Sequence, residues 1–427
     1  MFPRSCFAFA ALMLIGCPDA QPGTPDGGGG SGGGSDGAGA GGPNAGGNGV
    51  GGNGAGANGA GGSDGPVPVF SDVDPINLVS TGEDFNDQFG WSVGVSGDTV
   101  VIGAYRDWSS LVVGGAVHVY VRSEQGFDEQ AVLRPNPPQQ NSYFAYSVAI
   151  SGDVVWSGAP SYSDRAEVAG AAYVMTRNGT SWVSQVMHEQ DPPWTYAHFG
   201  SAVAVGGDYA VIGAPQTSTG QAFILEKSGN TWSAPIELLP DEDLYDFGLA
   251  VAIDGDTAIV GADEAAFVFV RDGEGWHQQA KLIAGNGGPE FGGSVGLSGN
   301  IAIVGSSLGE ANAAYVFVRN GTEWTQEAEL HAEDAANDDS FGQSVAVSGP
   351  IAFVGAPKHD AESMDSGAAY VFERSGGTWS QQAMLIEESA GDEGHFGTAV
   401  AIDGKLAAVG GVNDSTGRGS VSIYQAE

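Results

Sequence analysis

The feature that most constrains this chain is a unit that recurs seven times. Each copy begins with an aromatic residue followed by a small one, and the copies follow one another at similar intervals. A unit of this length cannot bury its own apolar face, so the copies must pack on one another. The copies start at Phe89, Phe144, Phe199, Phe247, Phe291, Phe341 and Phe396.

Each copy except the last contains the pattern of a four-stranded β-sheet. In the copy at Phe341, a small apolar stretch at 344–347 precedes a turn, and a nearly continuous apolar run follows at 352–355. A third strand at 368–372 and a short hairpin lead to a fourth strand that opens with Trp379. The spacing suits a propeller blade, and no segment shows sustained helical periodicity. The sequence therefore predicts an all-β, seven-bladed β-propeller of four-stranded blades.

The two ends of the array predict how the ring closes. The last copy stops at Tyr424, in its third strand, and leaves no room for a fourth. Leu78 precedes Phe89 at the same spacing at which Leu385, in a fourth strand, precedes Phe396. Since closure removes exposed sheet edges, we expect the segment around 76–78 to supply the missing strand of the last blade.

The N-terminal segment 1–17, MFPRSCFAFAALMLIGC, has the pattern of a signal peptide. Its ending, Leu14 to Cys17, resembles the bacterial lipobox, in which the Cys becomes the acylated first residue of the mature protein. We therefore expect lipid attachment at Cys17. An ordinary secretory signal with a chance Cys and a retained helix are the alternatives. Cys6 and Cys17 are the only cysteines, so the rest of the chain has no disulfide.

Composition divides the remainder of the chain in two. Residues 18–66 are mostly Gly, Ala, Asn, Ser and Asp and cannot bury enough surface to fold, so we expect a disordered tether with a span on the order of 40 Å. Residues 67–427 carry the propeller. With 14 Lys and Arg against 52 Asp and Glu, nucleic-acid binding and direct adsorption to anionic membranes are disfavoured. The charge indicates either solubility or binding of a cationic ligand.

Two short motifs connect the array to a known family. Phe-Gly opens most copies, and Gly-Ala-Pro ends the second strand at 158–160, 213–215 and 355–357. These motifs resemble FG-GAP repeats, found in the propeller of integrin alpha subunits and in many bacterial surface proteins. In integrin-like members, some blades hold Ca²⁺ in an Asp-rich loop between the first two strands. Here that connection is only Ser-Gly-Asp or a close variant, too few oxygen ligands for calcium. We interpret Asp98, Asp153, Asp208 and Asp256 as turn residues.

The alternating direction of successive strands predicts on which face of the propeller a ligand would bind. The connections from second to third strand, and from fourth strand to the next blade, are long and variable, and they emerge on one face. We expect no cofactor, although weak Ca²⁺ binding by the acidic interblade loops stays open. No H-E-x-x-H, G-x-S-x-G or Walker motif occurs, so no catalytic residue is predicted. The candidate ligand-binding residues on this face are Tyr105, Trp108, Tyr162, Arg165, Trp194, Tyr245 and His359.

These features together predict a non-catalytic binding or adhesion module. We expect an exported, membrane-anchored lipoprotein of the bacterial cell envelope, at the surface or in the periplasm. Its ligand would be a protein or glycan at the cell surface, it would touch the membrane only through its lipid, and it would be a monomer. The alternatives are a structural envelope protein without a specific ligand and a propeller glycan lyase or hydrolase.

Overall fold

The computed structural model describes residues 67–426 except 72, 80–86, 108–113, 137–139, 217–218, 243–244, 286–287, 289, 308–311, 335, 337, 389–390 and 414–417. At 184–186 it describes the backbone alone. The predicted signal peptide, the tether and Cys17 lie outside the described residues. Within the described part of the chain, no helix is long and apolar enough to cross a membrane.

Seven antiparallel sheets account for the strands of the described residues, and six of them follow chain order from inner to outer strand, whereas in the seventh the outer strand is the N-terminal one. Blade 1 contains β2 (Phe89–Ser96), β3 (Thr99–Ala104), β4 (Ala116–Ser123) and β5 (Gly126–Leu133). Blade 2 contains β6 (Ser147–Ser151), β7 (Val154–Ala159), β8 (Ala171–Asn178) and β9 (Ser181–His188). Blade 3 contains β10 (Ala202–Gly206), β11 (Tyr209–Ala214), β12 (Gln221–Ser228), β13 (Thr231–Trp232) and β14 (Ile236–Leu238).

The remaining blades repeat this order. Blade 4 contains β15 (Val251–Asp254), β16 (Thr257–Ala262), β17 (Ala265–Asp272) and β18 (Gly275–Leu282). Blade 5 contains β19 (Ser294–Ser298), β20 (Ile301–Ser306), β21 (Ala313–Asn320) and β22 (Glu323–Leu330). Blade 6 contains β23 (Ser344–Ser348), β24 (Ile351–Ala356), β25 (Ala368–Ser375) and β26 (Thr378–Leu385). Blade 7 contains β27 (Ala399–Asp403), β28 (Leu406–Gly411), β29 (Ser420–Gln425) and β1 (Ile76–Val79).

The innermost strands form a closed cycle. Each contacts the innermost strand of the next blade, in the order β2, β6, β10, β15, β19, β23 and β27, and β27 returns to β2. Apolar side chains fill the seams between neighbouring blades, so each hydrophobic cluster is built from two adjacent sheets. The predicted seven-bladed propeller is confirmed.

The N-terminal strand closes the ring as the sequence predicted. β1 pairs antiparallel with β29, from Ile76 opposite Ile423 to Val79 opposite Ser420. Upstream of β1, Phe70 is fully buried in the seam between blades 6 and 7, with its ring centroid 5.1 Å from that of Phe353 in an edge-on contact. The closure therefore consists of a strand and a preceding aromatic anchor.

Hairpins joining the first two strands of each blade, and the last two, emerge on one side of the ring, which we call the turn face. The opposite side, where the other connections emerge, is the loop face. In each blade a glycine with φ between +55° and +59° makes the first hairpin, a backbone conformation that side chains disfavour. The interpretation of the adjoining aspartates as turn residues agrees with this geometry. These glycines are Gly97, Gly152, Gly207, Gly255, Gly299, Gly349 and Gly404.

A glycine pair at six of the seven seams explains the repeated motifs, and at the other seam Gly103 meets Ala145. Gly355, in the second strand of blade 6, lies against the carbonyl oxygen of Gly397, which opens blade 7 with φ +93°. A Cβ on Gly355 would overlap that oxygen and the Ser344 hydroxyl. The Ser344 hydroxyl donates to the same Gly397 oxygen at 2.8 Å. The Phe-Gly and Gly-Ala-Pro glycines are therefore where two backbones of neighbouring blades meet.

Charged side chains reinforce the seam between blades 5 and 6. Glu327 accepts two hydrogen bonds from the Arg374 guanidinium, at 2.6 and 2.7 Å, and one from the Trp379 indole at 3.1 Å. The hydrogen bond from Arg374 is the main reason that the pKa of Glu327 lies below its ordinary value. This carboxylate contributes stability above the unfolded-state pKa, and the contribution is lost as the pH falls through the folded-state pKa.

Blade 3 departs from the predicted four strands. Its outer strand is divided into β13, which ends at Trp232, and β14, which begins at Ile236, and both pair with β12. Pro235 stands between them and has no N–H to donate to the ladder. Ser233 partly bridges the gap, because its N–H donates to the Glu226 carbonyl at 2.8 Å.

Candidate functional site

The residue that enters each innermost strand has the same unusual backbone. In all seven blades the residue before the opening Phe has φ between +52° and +68°. This left-handed turn brings the chain from the loop face into the inner strand, at the mouth of the central channel. Because the backbone is fixed while the side chains differ, the mouth is the natural place for specificity. The seven residues are Gln88, Tyr143, His198, Asp246, Glu290, Ser340 and His395.

Four aromatic side chains meet at the mouth in blades 1 and 2. The Trp91 ring centroid lies 5.0 Å from that of Tyr105 and 5.5 Å from that of Tyr146. Tyr105 also contacts Tyr143 at 5.4 Å and Tyr146 at 5.5 Å. We call Trp91, Tyr105, Tyr143 and Tyr146 the aromatic sector. Tyr105 is buried, whereas the other three are half-buried.

An exposed arginine borders the aromatic sector. The Arg106 guanidinium lies 5.4 Å from the centroid of the Tyr105 ring, in a cation–π contact. Burial raises the pKa of Tyr105 to about 12, so its phenol is neutral at physiological pH. The sector therefore presents aromatic rings and hydroxyl groups to a ligand, with the Arg106 cation at its border.

At one position of the repeat, aromatic residues occur only in blades 1 and 2. Trp91 and Tyr146 each follow the first two residues of a copy, and the other five blades carry no aromatic residue at that position. Those five residues are Ser201, Leu249, Gly293, Gln343 and Thr398.

A second, acidic sector lies in blades 4 and 5 and consists of Asp246, Asp263 and Glu290. Burial, and after it the negative charge of Asp263, raises the pKa of Asp246. Burial also raises the pKa of Glu290, although a hydrogen bond from the Ser307 hydroxyl at 2.9 Å and the charge of Lys358 oppose the shift. These two carboxyl groups therefore hold protons more tightly than an exposed carboxyl would.

The length of the connection from second to third strand also differs between the two sides of the mouth. In blade 4 it consists only of Asp263 and Glu264, beside the acidic sector, whereas blades 1, 2 and 6 have the long connections 105–115, 160–170 and 357–367. Across the described residues, no group of three or more His, Cys, Asp or Glu is placed to hold a metal ion.

The structure places two of the sequence-predicted ligand residues inside the protein. Tyr105 is 7 % exposed and Tyr162 is 4 % exposed. Tyr162 is drawn inward because its N–H donates to the Ala159 carbonyl and its own carbonyl accepts from the Gly170 N–H, which folds the connection back on the blade. Tyr105 still belongs to the aromatic sector, but Tyr162 packs against Tyr173, with ring centroids 6.4 Å apart.

The other predicted residues are spread around the loop face. Trp194 and Tyr245 are 45 % and 71 % exposed. Arg165 pairs with Asp191 at 2.8 Å, and His359 pairs with Asp339 at 3.0 Å. Trp108 lies outside the described residues. The structure gathers none of these four described side chains into one cluster with Tyr105.

Sequence reasoning missed Trp91, Tyr143 and Tyr146. All three lie within two residues of the opening Phe of a copy. A usable signal was present, because Trp91 and Tyr146 break a series of non-aromatic residues at one repeat position.

Comparisons with known proteins address the fold and the family. No curated protein matches the chain in sequence. Among 602 matching chains of solved structures, one titled "Crystal Structure of Mitotic Checkpoint Complex" has a TM-score of 0.55 and 11% identity, covering 86% of this chain and 99% of that chain. At this identity the likeness concerns the fold alone.

The FG-GAP repeat family matches six segments, at residues 77–120, 127–175, 193–225, 276–317, 324–372 and 379–424. The interval between the third and fourth segments contains most of blade 4, where Asp263 replaces the Pro of Gly-Ala-Pro. Since the matches span more than half of the sequence, and since the seam glycines of the motif are where the blades meet, the chain belongs to the FG-GAP repeat family.

Proposed function

We propose that this protein is a non-catalytic, lipid-anchored module of the cell envelope that binds a protein or glycan through its loop face. An FG-GAP propeller is suited to a binding or structural role. The observation that favours binding is the aromatic sector, because it leaves three half-buried rings at the channel mouth on a rigid scaffold. Aromatic anchors of this kind dominate the energetics of many interfaces.

The cell-envelope part of the proposal depends on the N-terminal sequence. Residues 1–17 have the pattern of an export signal that ends in Leu-Ile-Gly-Cys, and Cys17 would carry the lipid. Residues 18–66 would then separate the propeller from the membrane. Labelling of cells with a radioactive fatty acid tests this part, and we expect the label to be lost in a Cys17→Ser variant.

An enzymatic alternative rests on the acidic sector. Asp246 and Glu290 both have raised pKa values at the mouth, and carboxyl groups with raised pKa values can serve as general acids or bases. A glycan lyase or hydrolase is therefore the second candidate. Turnover on a polysaccharide panel that disappears in Asp246→Asn and Glu290→Gln would favour it over the binding module.

The binding proposal predicts a large effect of removing two rings. In a Trp91→Ala, Tyr146→Ala variant, we expect affinity for the envelope glycans or proteins retained by the parent to fall at least about 30-fold, which corresponds to about 2 kcal/mol. Affinity is measured by biolayer interferometry against fractionated envelope glycans and proteins. A Phe127→Ala variant is the control, because Phe127 is also half-buried but belongs to the turn face, where its ring centroid lies 5.5 Å from the Arg122 guanidinium. If both variants lose the same affinity, or if neither loses affinity, the assignment of the aromatic sector as the binding site is refuted.

A further inference from the structure

A group of four charged side chains, two of them buried, lies beside the aromatic sector in blade 1. The His118 Nδ1 is 2.7 Å from the Glu129 carboxylate, and its Nε2 is 3.6 Å from the Asp107 carboxylate. The same Asp107 oxygen is 3.0 Å from the Arg134 guanidinium. His118 and Asp107 are 7 % and 5 % exposed. Carboxylates therefore face both ring nitrogens of a histidine that water scarcely reaches.

The charges of this group balance only when His118 is protonated. Two carboxylates then face one imidazolium and one guanidinium, and the sum is zero. Loss of the proton leaves one net negative charge among these four side chains, in a protein whose formal net charge is already −38. Of the other aromatic groups nearby, the Phe89 ring is 5.2 Å from the imidazole and carries no charge, and Tyr120 interacts with Glu129.

The titration of His118 has a defined sign. Burial alone lowers the pKa of His118, but the nearby carboxylates of Asp107 and Glu129 outweigh it, and the net shift is upward. A group whose pKa is raised on folding contributes stability that is complete below its unfolded-state pKa, near 6.5 for histidine. That contribution is lost as the pH rises through the higher folded-state pKa.

The group is joined to the aromatic sector through the backbone. Asp107 follows Tyr105 and Arg106 directly, and its N–H donates to the Ala104 carbonyl at 3.1 Å. The Arg106 N–H donates to the Asp87 carbonyl at 3.1 Å. Arg134 reaches the far end of the same connection, with Nη1 3.5 Å from the Gly115 carbonyl oxygen. Whatever holds the Asp107 side chain therefore also fixes the backbone of Tyr105 and Arg106.

We infer that protonated His118 fastens Asp107 and thereby holds Tyr105 and Arg106 in place, so that the aromatic sector is fixed at neutral and mildly acidic pH and loosened at alkaline pH. The consequence for ligand binding rests on the proposed function, whereas the fastening itself does not. In blade 6 the loop position that corresponds to Asp107 is His359, which pairs with Asp339 at 3.0 Å. The arrangement of charged side chains around His118 is therefore not repeated in blade 6.

Amide hydrogen exchange in the full chain tests the inference without any ligand. Exchange at the Arg106 and Asp107 amides is measured by NMR at pH 6 and pH 9, after correction for the intrinsic pH dependence of exchange. We expect their protection to fall by about tenfold over this range, as expected when a buried charged group loses a partner. In His118→Gln and Asp107→Asn, protection should be low at both pH values and change little.

The control is His277→Gln, since the His277 side chain is 51 % exposed and 3.7 Å from Asp272. This variant should retain the full pH response of the parent. A parent whose protection does not change with pH, or a His118→Gln variant that keeps the response, would overturn the inference. If His118→Gln does not fold, Asp107→Asn decides. If the parent shows the pH response but the Trp91→Ala, Tyr146→Ala variant binds its ligand as well as the parent does, the proposed function is refuted. The inference that His118 holds Asp107 is then still supported.

Discussion

Replacement of Gly355 by Ala is expected to lower the free energy of unfolding by about 4 kcal/mol or more, among the largest effects of single substitutions. A Cβ at this position would overlap the Gly397 carbonyl oxygen across the seam between blades 6 and 7. The obstacle is backbone on the neighbouring blade, so no side-chain rotation can relieve it. Thermal unfolding followed by circular dichroism measures the effect, and we expect a decrease in Tm on the order of 10 °C.

Gly349 provides the matched control in the same blade. It has φ +55°, and nothing lies within 4 Å of an added Cβ. Gly349→Ala should therefore cost only the left-handed backbone penalty, about 1–2 kcal/mol. If Gly355→Ala is no more destabilising than Gly349→Ala, the seam glycines are not where the blades meet closely.

Deletion of residues 67–79 from the full chain is expected to be at least as damaging. It removes the strand that pairs with β29 and the buried Phe70 ring, and truncation of a buried Phe to Ala alone typically costs about 3–5 kcal/mol. The deletion also leaves the outer edge of blade 7 unpaired, which favours association between molecules. We expect a large fall in Tm, and size-exclusion chromatography should show oligomers.

A deletion of equal length within the tether, residues 40–52, is the control. The tether composition cannot bury apolar surface, so its shortening should leave the Tm unchanged. Equal melting temperatures for the two deletion variants would contradict the role assigned to β1.

The architecture could be predicted because the same pattern of strands and turns recurs seven times in the sequence. Weak strand and turn signals become decisive when seven copies agree, and the missing fourth strand after Tyr424 pointed to residues 76–78. Where a copy deviates, the repeat alone does not specify the local detail. The outer strand of blade 3 is interrupted beside Pro235, and the rule that proline has no N–H would have located the break.

The candidate site was predicted less well, because its residues are distant in sequence. Trp91, Tyr105, Tyr143 and Tyr146 come from two blades and meet only once the ring places those blades side by side. Tyr162 shows the opposite error. Its position in a long connection suggested exposure, but local backbone hydrogen bonds turn the connection back and bury the ring.

The closed ring is the premise of everything placed at the channel mouth, and a disulfide across its joint tests it most directly. The Asn77 and Ser422 side chains face each other, with 2.8 Å between Oδ1 and Oγ. In the full chain with Cys6 and Cys17 replaced by Ser, Asn77→Cys with Ser422→Cys should oxidise to an intramolecular disulfide and raise the Tm. The off-register pair, Asn77→Cys with Ser420→Cys, should not. Absence of the cross-link in the first pair, or equal cross-linking in both, would contradict the closure.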